Sequence, residues 1–292
     1  LREWETEIVR FFTGLQQPLL DQLAWVLTFM GNETFYFLVL PFVYWCVSKK
    51  FGIRLLYVLV LSVYIKSFLK MTFAITRPVG TEGINSLYVE SAEVGTHFPH
   101  DSFPSGHAQG SATLWWYIAA SVKKRSFWIF SIILVLLISF SRLYTGVHWP
   151  ADIIGGMAIA TVILLVARFI ENIIDSLTEM VKFILAVIVP LMLVLIFPEP
   201  EGYRYGGFLL GGGIGYFIEK NKLDMVIPSS WVNRLAAYLV GIAGIFALQT
   251  GLKAVFPEAW LFDGLRYALI GLWGLWIAPW LFVKIRLYRR KY

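Results

Sequence analysis

An all-α, polytopic transmembrane bundle of about nine spans is the fold that this sequence predicts, and three observations carry the prediction. Of its 292 residues 58% are hydrophobic and only 15% are charged, and the mean hydropathy of +0.68 lies outside the range of ordinary soluble domains. Several apolar stretches approach or exceed the roughly 18 residues needed to cross a bilayer as a helix. None of them alternates with a period of two, so they read as helices and not as barrel strands.

In chain order, residues 1–30 set Trp4, Phe11, Phe12, Leu15, Leu19, Leu20, Leu23, Trp25 and Leu27 among Glu, Arg, Gln and Asp. This is the pattern of an amphipathic segment lying along the membrane interface. The opening LREWETEIVR has mixed charges and no compact apolar core before a small-residue site, so no cleavable signal peptide is expected. Spans are expected at about 34–47, 53–76, 105–122, 127–144, 151–170, 181–197, 205–219, 232–255 and 264–284. The expected organisation is an interfacial segment over 1–30, a catalytic core of five spans over 31–175, and four additional membrane helices over 176–292. Within the seventh span GGFLLGGGIG, residues 206–215, reads as a close helix-packing face and not a phosphate loop, because no Lys-Ser/Thr follows. The tryptophans at 115, 116, 128, 273, 276 and 280 read as interfacial anchors and packing residues. One cysteine, Cys46, excludes an internal disulfide.

The net charge of +6 points to topology and not to nucleic acid, because in a membrane chain the distribution of basic residues matters most. With the amino terminus outside, the inward connections hold Lys49, Lys50, Arg54, Lys123, Lys124, Arg125, Arg168, Lys182, Lys220, Lys222, Arg234, Lys284, Arg286, Arg289, Arg290 and Lys291, sixteen of the 25 basic residues. The carboxyl terminus is then cytoplasmic. All four histidines, His97, His100, His107 and His148, fall on the outer side, as do Lys66, Lys70, Arg77 and Arg142, which break the rule in a cluster. Charges near the hydrocarbon layer are costly unless paired or hydrated, so such a cluster marks a site. The one long connection, residues 78–104, carries Glu82, Glu90, Glu93, His97, His100 and Asp101. These fit no strong metal template, and read as loop residues that shape substrate entry.

Three motifs supply the chemistry. In KMTFAITRP, residues 70–78, Lys70 and Arg77 stand two helical turns apart, about 10.5 Å of rise, on one face, and Pro78 ends the span. A mobile ammonium and a planar guanidinium fork converging on one point suit a phosphate. Lys66, one turn below Lys70, is a candidate auxiliary cation or a lysine paired to an acid. In PSGH, residues 104–107, Ser105 is a helix N-cap, Gly106 admits a ligand to the backbone, and the free N–H groups of the helix face an anion. His107, in the first turn, can act as general acid. In SRLYTGVHWPAD, residues 141–152, Pro150 starts a helix and Asp152 follows His148 by four residues. The aspartate can take one imidazole proton, leaving the other nitrogen as nucleophile, while Arg142 adds a third cation. Together these parts compose a phosphoryl-transfer site.

The three motifs resemble the signature K-x6-RP, PSGH, SR-x5-H-x3-D of the type 2 phosphatidic acid phosphatase superfamily. That superfamily includes lipid phosphate, undecaprenyl pyrophosphate, sphingosine phosphate and glucose-6-phosphate phosphatases, and the soluble vanadium haloperoxidases. Every signature position matches over residues 70–152, and GNETFYFLVLPFVYWCVSKKFG, residues 31–52, is similar to the first core helix of the sphingosine phosphate and glucose-6-phosphate branches. The resemblance implies a phosphatase with no metal or cofactor that forms a phosphohistidine on His148, oriented by Asp152, with His107 as acid. Lys70, Arg77, Ser105, Gly106 and Arg142 would bind the phosphate. The expected partners are a phosphorylated lipid or prenyl pyrophosphate and the surrounding membrane lipids, with vanadate as inhibitor and no nucleic acid. The site is expected on the extracytoplasmic or lumenal side. The nine-span layout also resembles the glucose-6-phosphatase arrangement, which keeps a soluble sugar phosphate open as substrate, and the glycine-rich span permits a transporter or scramblase on the same scaffold.

Overall fold

The structure, a computed structural model, describes residues 2–92 and 98–291; Glu93 and His97 lie outside the described residues. Eleven helices form among the described residues. They are α1 (Glu3–Thr13), α2 (Pro18–Met30), α3 (Glu33–Val47), α4 (Lys49–Phe73), α5 (Gly106–Val122), α6 (Arg125–Tyr144), α7 (Pro150–Ser176), α8 (Glu179–Ile196), α9 (Pro200–Lys222), α10 (Trp231–Val255) and α11 (Trp260–Lys284). α3 ends in a π turn over Val43–Val47, and α11 contains one over Trp273–Ile277. A single antiparallel pairing, Met225–Val226 with Arg289–Arg290, supplies the strand content of the described residues.

Each expected span falls on one of the helices α3 to α11, but fewer than nine can cross a bilayer unaided. α4, α6, α7, α8, α10 and α11 are long and apolar enough, and α2 with α3 qualifies as a pair bent by 54°, which gives six or seven. α5 is short at 17 residues and carries Ser111, His107 and Gln109. α9 is diluted by glycines and by charges at both ends. The second span also ends sooner than expected. α4 stops at Phe73 because Ala74 turns into the left-handed region at φ +46°, which a residue with a Cβ adopts only at a cost.

Residues 1–30 form two helices, and one side of α1 packs on protein: Val9 is fully buried with Ile84, Ala108, Leu143, Trp149 and Ile153, while Trp4, Phe11, Leu15, Leu19, Leu23 and Trp25 stay exposed. Glu5, also buried, accepts from the Ala151 backbone N–H at 3.0 Å in the first turn of α7, where a carboxylate complements the helix dipole. An amphipathic sequence fixes that one face must leave water, but not whether lipid or protein covers it.

The chain divides into two compact units, residues 1–36 with 61–169 and residues 37–60 with 170–292. In the first, α5 packs along α6, and α1 and α2 also lie against α6. In the second, α9 packs against α8 and α11. The glycines of α9 allow backbone to meet backbone. A Cβ on Gly207 would stand 2.1 Å from the Gly264 carbonyl oxygen, and one on Gly211 1.8 Å from that of Ala268. Such small-residue faces let apolar helices associate through close van der Waals contact where no hydrophobic effect separates helix from lipid. At one end of the same unit the buried Glu219 accepts from Lys49 Nζ at 3.0 Å and from the Met225 N–H at 2.7 Å, and Asp224 takes Lys49 at 2.7 Å. The indole of Trp45, in one π turn, donates to Gly274 O in the other at 2.9 Å.

Two glycine substitutions separate packing from propensity. Gly211→Ala should destabilise the protein by about 1–3 kcal/mol through overpacking. At Gly251 in α10 an added Cβ meets nothing within 4 Å, so Gly251→Ala should be neutral or stabilising by up to about 1 kcal/mol. Thermal unfolding in detergent measures both.

Candidate active site

The three motifs of the sequence meet within the first unit, at the ends of α4, α5, α6 and α7. Lys70 lies in the last turn of α4. Arg77 reaches the same place from a non-helical segment, so the two-turn helical spacing expected between them does not apply. That segment is held by the connection before α5: the Arg77 N–H donates to Pro99 O at 2.9 Å and the Ser102 N–H to Ile75 O at 2.8 Å. Ser105 caps α5, its side chain accepting from the Ala108 N–H, and its own N–H donates to Asp152 O at 3.0 Å. α7 can come this close because residue 156 is a glycine, whose Cβ would otherwise stand 2.8 Å from Ser105 O.

His148 sits between α6 and α7 and is 1% exposed. Its Nδ1 lies 3.3 Å from Asp152 Oδ2, and its Nε2 lies 3.1 Å from Arg77 Nη1. A guanidinium only donates, so Nε2 is the accepting nitrogen, and Nδ1 keeps its proton and donates a hydrogen bond to Asp152. The imidazole is thus neutral, with a lone pair on Nε2 turned toward the cations. Burial, and after it the charges of Arg77, Lys70, Arg142 and His107, hold the His148 pKa well below the ordinary value.

Asp152 is fixed more firmly than a lone His–Asp pair would be. Its Oδ2 also accepts from Ser102 Oγ at 2.5 Å and from the Trp149 N–H at 2.8 Å. Arg142 is fully buried; its Nη1 donates to Thr28 Oγ1 at 2.7 Å and its Nη2 to Ser91 Oγ at 3.1 Å. His107 is buried in the first turn of α5, and the ring packs on Gly31 at the bend between α2 and α3, where a Cβ would stand 2.7 Å from His107 Cδ2. Gly106, beside it, lines a narrow crevice with Gly31, Glu33, Tyr36, Ser62, Lys66 and Gln109. Lys66, the candidate auxiliary cation, is paired with Glu33 Oε1 at 2.8 Å.

Sequence reading missed four contributors. Thr28 and Ser91 hold Arg142, Ser102 holds Asp152, and Asp101, read only as a loop residue, receives Arg77 Nε on Oδ1 at 2.7 Å and Nη2 on Oδ2 at 3.0 Å. No periodicity or signature marks Thr28 and Ser91; the position of Asp101 and Ser102 directly before FPSGH is the one available signal. His100 bonds Thr76 through Nδ1 at 2.9 Å in an exposed setting, and among the described residues no three His, Cys, Asp or Glu side chains gather as a metal site.

This fold has known counterparts. The model of the PAP2 superfamily matches residues 51–174, and that of the PAP2 superfamily phosphatase transmembrane extension matches residues 203–290. The chain belongs to the PAP2 superfamily. It is 27% identical to a Dictyostelium discoideum protein described as a probable sphingosine-1-phosphate phosphatase, over 75% of this chain and 58% of that one. It is 32% identical to an undecaprenyl-diphosphatase of Sulfolobus acidocaldarius, over 43% of this chain and 57% of that one. The chain thus spans less than two thirds of either relative. The crystal structure of a PAP2-type phosphatidylglycerolphosphate phosphatase from Bacillus subtilis shares the fold at a TM-score of 0.50 and 21% identity, over 61% of this chain and 89% of that one.

The depressed pKa of His148 has a consequence for stability. Below the ordinary histidine value of about 6.5 the unfolded chain binds a proton at this residue that the folded chain refuses, so stability is lost as pH falls through that value. Lowering the pH from 7 to 5 should therefore reduce the unfolding free energy of the wild type more than that of His148→Gln, by up to about 1.4 kcal/mol per pH unit below about 6.5, read as a larger fall in melting temperature. Equal losses in the two proteins would contradict the assignment of a neutral, buried His148.

Proposed function

We propose that this protein is an integral-membrane phosphatase that cleaves a lipid phosphate monoester or a polyprenyl diphosphate through a phosphohistidine. The observation that carries the reading is the unprotonated Nε2 of His148, held by Asp152 on one side and set against the guanidinium of Arg77 on the other. In the first step His148 Nε2 attacks phosphorus, the P–O bond to the leaving group breaks, and His107 gives that oxygen its proton. In the second, water attacks the phosphohistidine while His107 takes back a proton, the P–N bond breaks, and inorganic phosphate departs. Lys70, Arg77, Arg142 and the amides at the start of α5 stabilise the charge that grows on the equatorial oxygens. No step calls on a metal or a cofactor.

The names of the two relatives support a lipid or prenyl substrate, whose head group would enter sideways between helices. The distribution of basic residues supports nine spans, with the amino terminus and the site on the extracytoplasmic or lumenal face and the carboxyl terminus in the cytoplasm. α5 and α9 would then cross within the bundle, screened from lipid by their neighbours.

Phosphate release from phosphatidic acid, sphingosine phosphate, undecaprenyl diphosphate and glucose 6-phosphate, measured side by side in detergent, tests the reading. One of the lipid or prenyl substrates should be preferred, chelator should leave the rate unchanged, and vanadate should inhibit competitively. His148→Ala should cost at least about 10³-fold in kcat, as removal of a covalent catalyst does. Full activity in His148→Ala, or loss of activity with chelator, would overturn the mechanism.

A further inference from the structure

Arg77 has no nitrogen left over. Nε and Nη2 form a fork onto the Asp101 carboxylate at 2.7 and 3.0 Å, with Nη2 also 3.2 Å from the Asp101 carbonyl oxygen. Nη1 donates to Val147 O at 3.0 Å and to His148 Nε2 at 3.1 Å. Lys70 Nζ stands 3.7 Å from Asp101 Oδ2, so one carboxylate lies against both of the cations that the motif brings together. Carboxylate and phosphate are the two anions that a guanidinium fork fits with paired bonds. A phosphate approaching His148 must therefore displace the Nη1 bond to the nucleophile, and it competes with Asp101 for Lys70 and for the fork.

We infer that Asp101 is a resident counter-anion of the phosphate cradle. As a positioning residue it holds Arg77 and Lys70 in place before substrate arrives, yields part of their hydrogen bonding to the incoming phosphate, and takes it back as inorganic phosphate leaves. The charge balance supports an active role in release. With His148 neutral and His107 carrying the proton it donates, the buried groups of the site are Lys70, Arg77, Arg142 and His107 against Asp101 and Asp152, two net positive charges. A neutral residue at position 101 would raise that to three, and each added unit of charge at a few ångströms holds an anion far more tightly in a water-poor site.

The inference rests on reading the cradle as a phosphate site, and its test separates the two. Inhibition by inorganic phosphate and by vanadate is measured on wild type, Asp101→Asn, Asp101→Ser and the charge-keeping Asp101→Glu, with the thermal shift caused by vanadate as a second readout for any variant that does not turn over. In Asn and Ser the inhibition constant for phosphate should fall about tenfold or more, and kcat and KM should fall together as release slows; Glu should keep the wild-type inhibition constant. A side chain that only props up Arg77 predicts the opposite sign, weaker phosphate binding once it is removed. Unchanged or weakened inhibition in Asn and Ser, or tightening in Glu equal to theirs, would overturn the inference and leave the phosphate site standing. A wild type that binds neither phosphate nor vanadate would overturn both.

Discussion

One carboxylate oxygen organises the site. Asp152 Oδ2 accepts from Ser102 Oγ, from the Trp149 N–H and from His148 Nδ1, and the carbonyl of the same residue accepts from the Ser105 N–H. A residue in the first turn of α7 thereby fixes the connection before α5, the cap of α5 and the imidazole at once. Because a carboxylate accepts and does not donate, it also selects the histidine tautomer. Leaving any of these buried donors unmet would cost about 1–3 kcal/mol, so the helix ends are held in register by the same bonds that orient the His148 imidazole.

The second constraint is electrostatic. Arg77 and Arg142 are among the largest fully buried side chains, and a buried guanidinium is tolerated only when its donors are met. Two different solutions serve the two arginines. Arg142 donates to neutral hydroxyls on α2 and on the 3-10 turn over Val89–Ala92. Arg77 is neutralised directly by Asp101. The amino-terminal helices sit against α5, α6 and α7 through three partners: Thr28 meets Arg142, Glu5 meets the Ala151 N–H, and Val9 fills the apolar flank.

The second unit works by a different rule. Its helices meet most closely where α9 and α11 bring carbonyl oxygens against Gly207 and Gly211, since dispersion at close range, not water exclusion, separates packed from unpacked helices in lipid. Charged residues stay near the helix ends, where Glu219, Lys49 and Asp224 neutralise one another.

Much of this was legible in the residues. Apolar length and composition placed all of α3 to α11, because the bilayer forces every backbone group into a helix and leaves the chain few alternatives. The signature spacing picked out Lys70, Arg77, Ser105, Gly106, His107, Arg142, His148 and Asp152, since local spacing along a helix start fixes caps, first-turn histidines and a His–Asp pair four residues apart. Tertiary structure alone decided the rest. It ended α4 at Phe73, buried Val9 of α1 against α5, α6 and α7, bent α2 against α3 over His107, and brought Asp101, Ser102, Thr28 and Ser91 to their partners from 24 to 114 residues away. A sequence states which groups cannot be buried without a partner; only packing determines which distant side chain meets the need, because many hydroxyls and carboxylates satisfy the same donor and just one is delivered to it by the fold.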